Sequence, residues 1–489
     1  MNTTSLSFSE VLNYIGGQWV NSSSSEFQDV VNPATADVLA RVPLSGTEDV
    51  DRAVRAAESA MHDWRNTPPG DRVQCLFGIK QILEDNLEDI ATTLVKENGK
   101  TLAEAKGELR RAIENVEVAC GIPMLMQGYN LEDIATGIDE SMIRQPVGIV
   151  AAITPFNFPG MIPFWFLPYA VACGNCFILK PSERVPLTMQ HVFRLMEKLN
   201  IPKGVLGLIN GGRQAVDALL VHPKIRAISF VGSTPVAKYV YSRAAAHGKR
   251  VQCQGGAKNH AVVLADADMA VASKVVAESA FACAGQRCLA VSIAVTVGDS
   301  RHKFRDAISD VAASFNIGYG LDKDVRMGPV ITPESRTRIE GLIGKGVQKG
   351  AKLVLDGRNP SISKYGSGNF IAPTLLDDVQ IGSDLYATEI FGPVLSLVHA
   401  RSLDDAINIL GASEFGNAAS LFTSDGKAAR RFKHSAPAGN IGVNVGVAAP
   451  IAYFPFSGWK ASFFGDLHAQ GRDGVEFYTE KKVVVERWA

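Results

Sequence analysis

The chain has 489 residues, 46% of them hydrophobic, more than one ordinary core accommodates, so about two or three compact domains are expected. Its 49 Lys and Arg residues nearly balance 50 Asp and Glu, and no basic tract or aromatic-basic interleaving occurs, which argues against a nucleic-acid partner and for a small-molecule substrate. The opening MNTTSLSFSEVLNYIGGQWV lacks the basic and apolar regions of a signal peptide, and no run reaches the roughly 18 apolar residues of a membrane span. No membrane association and a cytoplasmic location are therefore expected, with a processed organelle-matrix protein as the other option.

In chain order, the serine run at 22–25 reads as a turn between early strands. Residues 48–120 carry apolar residues at three- and four-residue intervals, which predicts two or more long amphipathic helices. From 146 the pattern changes to short β-branched runs alternating with helices: PVGIVAAITP, NCFILKPS, GVLGLING, IRAISFVGST and, after a helical stretch at 234–248, VVLADAD. That alternation predicts a parallel doubly wound α/β sheet, whose ligands bind beyond the carboxyl ends of its strands. LAVSIAVTVGD, AKLVLDG, NFIAPTLLDDV and GPVLSLVHA predict a second α/β unit, and the terminal VEFYTEKKVVVERW alternates like an edge strand able to pair with a partner subunit. Seven cysteines, at 75, 120, 173, 176, 253, 283 and 288, are too scattered for a disulfide framework. Cys173 and Cys176 form a CxxC within an apolar run and without a second ligand pair, so they read as buried thiols and not as a zinc site.

Four stretches, PFNFP at 155–159, FVGST at 230–234, GQRC at 285–288 and EIFGPV at 389–394, occur in the order and spacing of the aldehyde dehydrogenase superfamily, which the chain resembles from about residue 14 onward. Within it, GAKNH at 256–260, the arginine of GQRC, GNFIAPTLLDDV at 368–379 and YFPFSGWKASFFGD at 453–466 resemble the CoA-acylating methylmalonate-semialdehyde (malonate-semialdehyde) dehydrogenases, with Leu289 where Met is more usual. The resemblance implies a Rossmann-type NAD-binding domain over 1–123 and 143–253 with a return segment at about 448–469. It further implies an α/β catalytic domain over 254–447 and a small β oligomerisation arm over 124–142 and 470–489, serving a homodimer or homotetramer.

An aldehyde becomes a hydride donor only after a nucleophile converts it to a tetrahedral oxyanion, and a thiolate does this while leaving a thioester that is a good acyl donor. By resemblance Cys288 is that nucleophile, with Asn157 and the Cys288 backbone N–H as oxyanion donors; Cys283 reads as structural. The resemblance places NAD against Thr154, Phe156, Lys180, Glu183, Arg184, Ser233, Gly255, Glu389 and Phe391, with Lys180 and Glu183 at the adenosine ribose, a contact that disfavours a 2′-phosphate. Ser233 would open a helix against the pyrophosphate. Most relatives release the acyl group to water with a glutamate about 34 residues ahead of the cysteine, but here that position is Gln254, and an amide takes no proton from water at neutral pH. A thiol acceptor, with a pKa of about 8.5, needs that base much less, which points to coenzyme A. Arg287 and Arg111 resemble the pair that binds a substrate carboxylate in this group, with Arg110 as the rival of Arg111 because adjacent helix residues face about 100° apart. The expected reaction is oxidation of the semialdehyde to a Cys288 thioester, loss of CO₂ and transfer of a propanoyl or acetyl group to CoA. A hydrolytic aldehyde dehydrogenase and a non-catalytic NAD-binding scaffold are the competing expectations.

Overall fold

The computed structural model describes residues 10–362 and 364–488. Five parallel strands form the centre of an eight-stranded sheet: β1 (Ile149–Ile153), β2 (Cys176–Lys180), β3 (Leu206–Leu208), β4 (Ile225–Val231) and β5 (Arg250–Gln254), in the order β3-β2-β1-β4-β5. Every residue of β1, β2 and β3 is buried, as expected of strands covered on both faces. Helix α1 (Leu102–Cys120) belongs to the helical region before the sheet, and α2 (Thr234–Ala246) connects β4 to β5. The strand order reverses between β1 and β4, so the crevice at this switch point lies beyond residues 153 and 231, where PFNFP and GST begin.

VVLADAD does not close the first sheet: its valines end β6 (Asn259–Val263), an inner strand of a second sheet, and the fifth strand of the first is RVQCQ. The polar letters of that strand hide its burial, because Gln252 and Gln254 are inside and bonded, to the Ser229 hydroxyl at 2.9 Å and the Phe456 carbonyl at 3.0 Å.

The second sheet runs β8-β9-β10-β7-β6-β11-β12, with β7 (Val291–Val297), β8 (Lys352–Leu355), β9 (Thr374–Asp377), β10 (Val394–Ala400), β11 (Ala418–Phe422) and β12 (Asn440–Val443). All its neighbours are parallel except the β8 and β9 pair. Helix α3 (Met269–Phe281) covers it and leads into the GQRC segment. Each sheet has its own buried apolar cluster, and the seam between them passes through that segment: Ala284 belongs to the second core and Leu289 to the first.

Tyr129–Ala135, Ile138–Pro146 and Thr479–Arg487 form a separate three-stranded antiparallel sheet with Thr479–Arg487 at its edge. The expected terminal strand is shorter than its alternation suggested, since VEF lies in helix α4 (Gly471–Phe477). Cys173 and Cys176 are buried free thiols whose pKa burial pushes up to about 12.

Candidate active site

The segment ahead of Cys288 turns sharply: Cys283, Ala284 and Gly285 have φ of 53°, 52° and 69°. Only glycine serves at 285, where a Cβ would stand 2.1 Å from the Gly392 carbonyl oxygen. The two non-glycine residues carry strain of order 1–2 kcal/mol each. Glu104 holds the turn, its carboxylate accepting from the Cys283 N–H at 2.6 Å while its other oxygen closes the capping box of α1 with Thr101. Cys288 itself is clamped through its carbonyl, which accepts from Asn259 at 2.8 Å and Asn417 at 2.7 Å. Burial pushes its thiol up to about 12, and the Glu389 charge adds to that. The Arg287 guanidinium and the backbone N–H groups of Cys288 and Leu289 pull the other way.

Asn157 lies beside this segment, its amide donating to the Gln286 carbonyl at 3.1 Å. An amide nitrogen has two hydrogens, so one remains for an oxyanion. The loop carrying Asn157 is fixed from α1 and the residues before it. Asn98 donates to the Phe156 carbonyl at 2.8 Å, Lys100 to the Asn157 carbonyl at 2.8 Å, and Glu108 accepts from the Gly160 and Met161 N–H groups at 2.7 and 3.1 Å.

A cavity of about 450 Å³ opens over Cys288 and is shared by Arg287, Arg111, Trp165, Phe456 and Gln470, among others. Arg111 faces it, held by Glu114 at 2.7 Å and by the Pro450 carbonyl, whereas Arg110 points outward to Glu117 at 2.7 Å. Arg111 is thus the arginine of that helix on the Cys288 cavity. The Arg287 guanidinium reaches the Glu278 carbonyl at 3.5 Å. Glu104, Glu108, Arg111 and Asn115 form one face of α1 and all line the cavity. Their spacing of four, three and four residues was the available signal for the three residues other than Arg111 that sequence reasoning missed.

The remaining expected residues cluster beyond the carboxyl ends of β1, β2, β4 and β5. Thr154 is buried after β1 and its hydroxyl has no hydrogen-bond partner among the described residues. Lys180, ending β2, pairs with Glu183 at 3.0 Å. Burial alone would raise the Glu183 carboxyl, but Lys180 and Arg184 bring it below the ordinary range. Arg184 is exposed. Ser233 occupies the N-cap of α2, its carbonyl accepting from the Ala237 N–H at 2.8 Å while its side chain makes no capping bond, which leaves the first N–H groups of that end open to a ligand. Gly255 packs directly against the Ala461–Ser462 backbone, since a Cβ there would meet the Ala461 carbonyl at 2.8 Å, and the Gly256 N–H donates to Thr234 Oγ1 at 2.8 Å. Glu389 accepts from the Ala257 N–H at 2.9 Å, and burial pushes its carboxyl up to about 7. Phe391, at φ 53°, meets Phe156 edge to face at 5.8 Å across the seam.

Gln254 is 4% exposed, with its nitrogen on the Phe456 carbonyl and its oxygen without a partner among the described residues.

The aldehyde dehydrogenase family profile matches residues 19–484. The chain belongs to the aldehyde dehydrogenase family. This aldehyde dehydrogenase is 48% identical over 476 residues to the malonate-semialdehyde dehydrogenase of Halalkalibacterium halodurans, covering 97% of this chain and 98% of that one. It is 50% identical, with the same coverage, to malonate-semialdehyde dehydrogenase 3 of Geobacillus kaustophilus. Among solved structures, a Sinorhizobium meliloti protein named as a methylmalonate-semialdehyde dehydrogenase and complexed with NAD superposes with a TM-score of 0.97 at 44% identity, covering 98% of both chains. The methylmalonate-semialdehyde dehydrogenase of Oceanimonas doudoroffii gives 0.97 at 43% identity, covering 98% of this chain and 99% of that one. Among the described residues, no helix is long and apolar enough to cross a membrane.

Proposed function

We propose that this enzyme catalyses the NAD-dependent, CoA-acylating oxidative decarboxylation of malonate semialdehyde or methylmalonate semialdehyde, giving acetyl-CoA or propanoyl-CoA. The observation that carries this reading is the placing of Arg111 and Arg287 around the cavity that Cys288 opens into. Two guanidinium groups there suit a small aldehyde bearing a carboxylate. The names of the relatives agree with it.

The residues fit a nicotinamide dinucleotide: the unpartnered Thr154 hydroxyl and the start of α2, which no side chain caps, are features that a bound dinucleotide would use. Lys180 and Glu183 would hold the adenosine ribose, Arg184 would lie beside the adenine, and Glu389 and Phe391 would orient the nicotinamide half. When bound, NAD supplies the hydride acceptor.

Cys288, once deprotonated, adds to the aldehyde carbon, and the free hydrogen of the Asn157 amide together with the Cys288 N–H meets the oxyanion. Loss of hydride leaves a carboxyacyl thioester on Cys288, with the carboxylate held by Arg111 and Arg287. That carboxylate is β to the thioester carbonyl, so its C–C bond breaks to release CO₂ and an enolate that the same two donors stabilise. A proton adds at carbon, and the CoA thiolate then takes the acyl group and frees the Cys288 thiolate. Gln254 provides no base for water, so the thioester waits for the thiol. The arm's edge strand offers its backbone for a homodimer or homotetramer contact.

Purified enzyme with NAD and malonate semialdehyde, followed by NADH formation and by mass spectrometry of the products, tests the reading. Acetyl-CoA formed with continuing release of CO₂ when CoA is present, and no more than one CO₂ per Cys288 without it, is the expected result. Rapid release of a free acid without CoA would overturn it.

A further inference from the structure

Gln470 immediately precedes α4 and lines the Cys288 cavity while being only 3% exposed. Its backbone sits at φ 73° and ψ 170°, a region essentially reserved for glycine. Both neighbours are tied down: the Ala469 carbonyl accepts from Phe456 at 2.9 Å, and the Gly471 N–H donates to the Ala452 carbonyl at 3.1 Å and is shared with the Tyr169 hydroxyl at 3.3 Å. Glycine would serve this backbone without strain, so what glutamine adds is its side chain. That side chain offers the fold little. Its Oε1 is buried without a hydrogen-bond partner among the described residues. A strained residue whose buried amide oxygen has no partner among the described residues, on the wall of a reaction cavity, is placed for a ligand.

A chain of bonds tells which wall. The Tyr169 hydroxyl, contacted by Gly471, donates towards Asn115 Oδ1 at 3.2 Å, and the Asn115 amide donates to the Arg111 carbonyl at 3.0 Å. The Arg111 guanidinium in turn donates to Pro450, in the same stretch of chain that reaches Gln470 through Ala452 and Phe456. Gln470 therefore belongs to the Arg111 side of the cavity, where the substrate carboxylate is assigned.

We propose that Gln470 is a specificity-determining residue whose side-chain amide donates to the substrate carboxylate beside Arg111. A half-turn about the last side-chain bond exchanges its oxygen and nitrogen without changing its shape and presents the NH₂ group. The inference rests on the carboxylate-bearing substrate proposed above.

The test compares KM and kcat for malonate semialdehyde and for uncharged propanal in the wild-type enzyme, Gln470→Leu and Gln470→Gly. Leucine keeps the bulk and removes the donor, and glycine also relieves the backbone, so the second variant stays folded if the first does not. The expected result in both is a KM for malonate semialdehyde raised about tenfold or more, kcat changed less than about threefold, and propanal kinetics moving little. Gln470→Gly should in addition unfold at a higher temperature than Gln470→Leu. A KM for malonate semialdehyde within about twofold of wild type in either folded variant, or parallel changes for both aldehydes, would overturn the inference. A wild-type enzyme that does not prefer malonate semialdehyde to propanal would instead overturn the carboxylate reading on which the inference rests.

Discussion

Lys100 and Glu108 form an ion pair with side chains 1% and 0% exposed, and each spends its remaining bonds on the loop that carries Asn157. A charge pair this deep contributes little net stability while intact, but removing one member strands the other in a low-dielectric interior. Glu108→Gln should therefore cost about 3–5 kcal/mol of folding stability and lower kcat through displacement of Asn157. The double variant Lys100→Met/Glu108→Leu should recover much of the stability and little of the activity. Denaturant unfolding and steady-state kinetics on the three proteins decide this. Additive stability losses would show that the pair is not coupled.

The thiol of Cys288 stands far above an ordinary cysteine because burial and the Glu389 charge both disfavour the thiolate. With the pKa at about 12, the thiolate fraction of the unliganded enzyme grows throughout the working pH range. Alkylation of Cys288 by iodoacetamide should then accelerate about tenfold per pH unit from roughly pH 6.5 to 9.5 without levelling off. Peptide mapping is needed to separate Cys288 from the half-buried Cys75 and Cys120. A plateau near pH 8.5 would show a nucleophile already activated in the free enzyme.

Sequence reading reached furthest where a motif lies in one local segment. PFNFP, GQRC and EIFGPV each occupy one short turn, so Asn157, Cys288 and Glu389 could be placed before any fold was known. It failed where burial is carried by polar letters. RVQCQ is an interior strand whose glutamines are bonded inside, and Glu104, Lys100 and Glu108 look like the solvated charges of any helix until the loops they hold are folded against them. The backbone strain at Gln470 has no sequence signal, because it arises from bonds made by residues scattered from 169 to 471.

Arg110 and Arg111 are adjacent but do different work. Arg110 pairs with Glu117 on the outer surface, where such bridges contribute about 0–1 kcal/mol, so Arg110→Ala should leave kcat and KM within about twofold of wild type. Arg111→Ala should raise the KM for malonate semialdehyde at least about tenfold and change propanal kinetics little, since of the two aldehydes only malonate semialdehyde carries a carboxylate for the guanidinium to hold. Equal effects of the two substitutions would remove Arg111 from the substrate site.

Gln254→Glu tests the choice of acyl acceptor. The present amide donates to the Phe456 carbonyl at 3.0 Å. A carboxylate there would face a carbonyl oxygen in a buried setting, which costs about 1–3 kcal/mol and raises the carboxyl pKa. A raised pKa nearer neutrality is what a general base needs, so the variant should trade some stability for hydrolysis. Without CoA, the wild-type enzyme should give one NADH per Cys288 and then nearly stop, whereas Gln254→Glu should continue with release of free acid. Its CoA-dependent rate should persist, because the thiol path does not use this side chain. If the variant stops after the same single turnover, the missing glutamate is not what keeps water from the thioester, and the source of CoA selectivity lies elsewhere in the cavity.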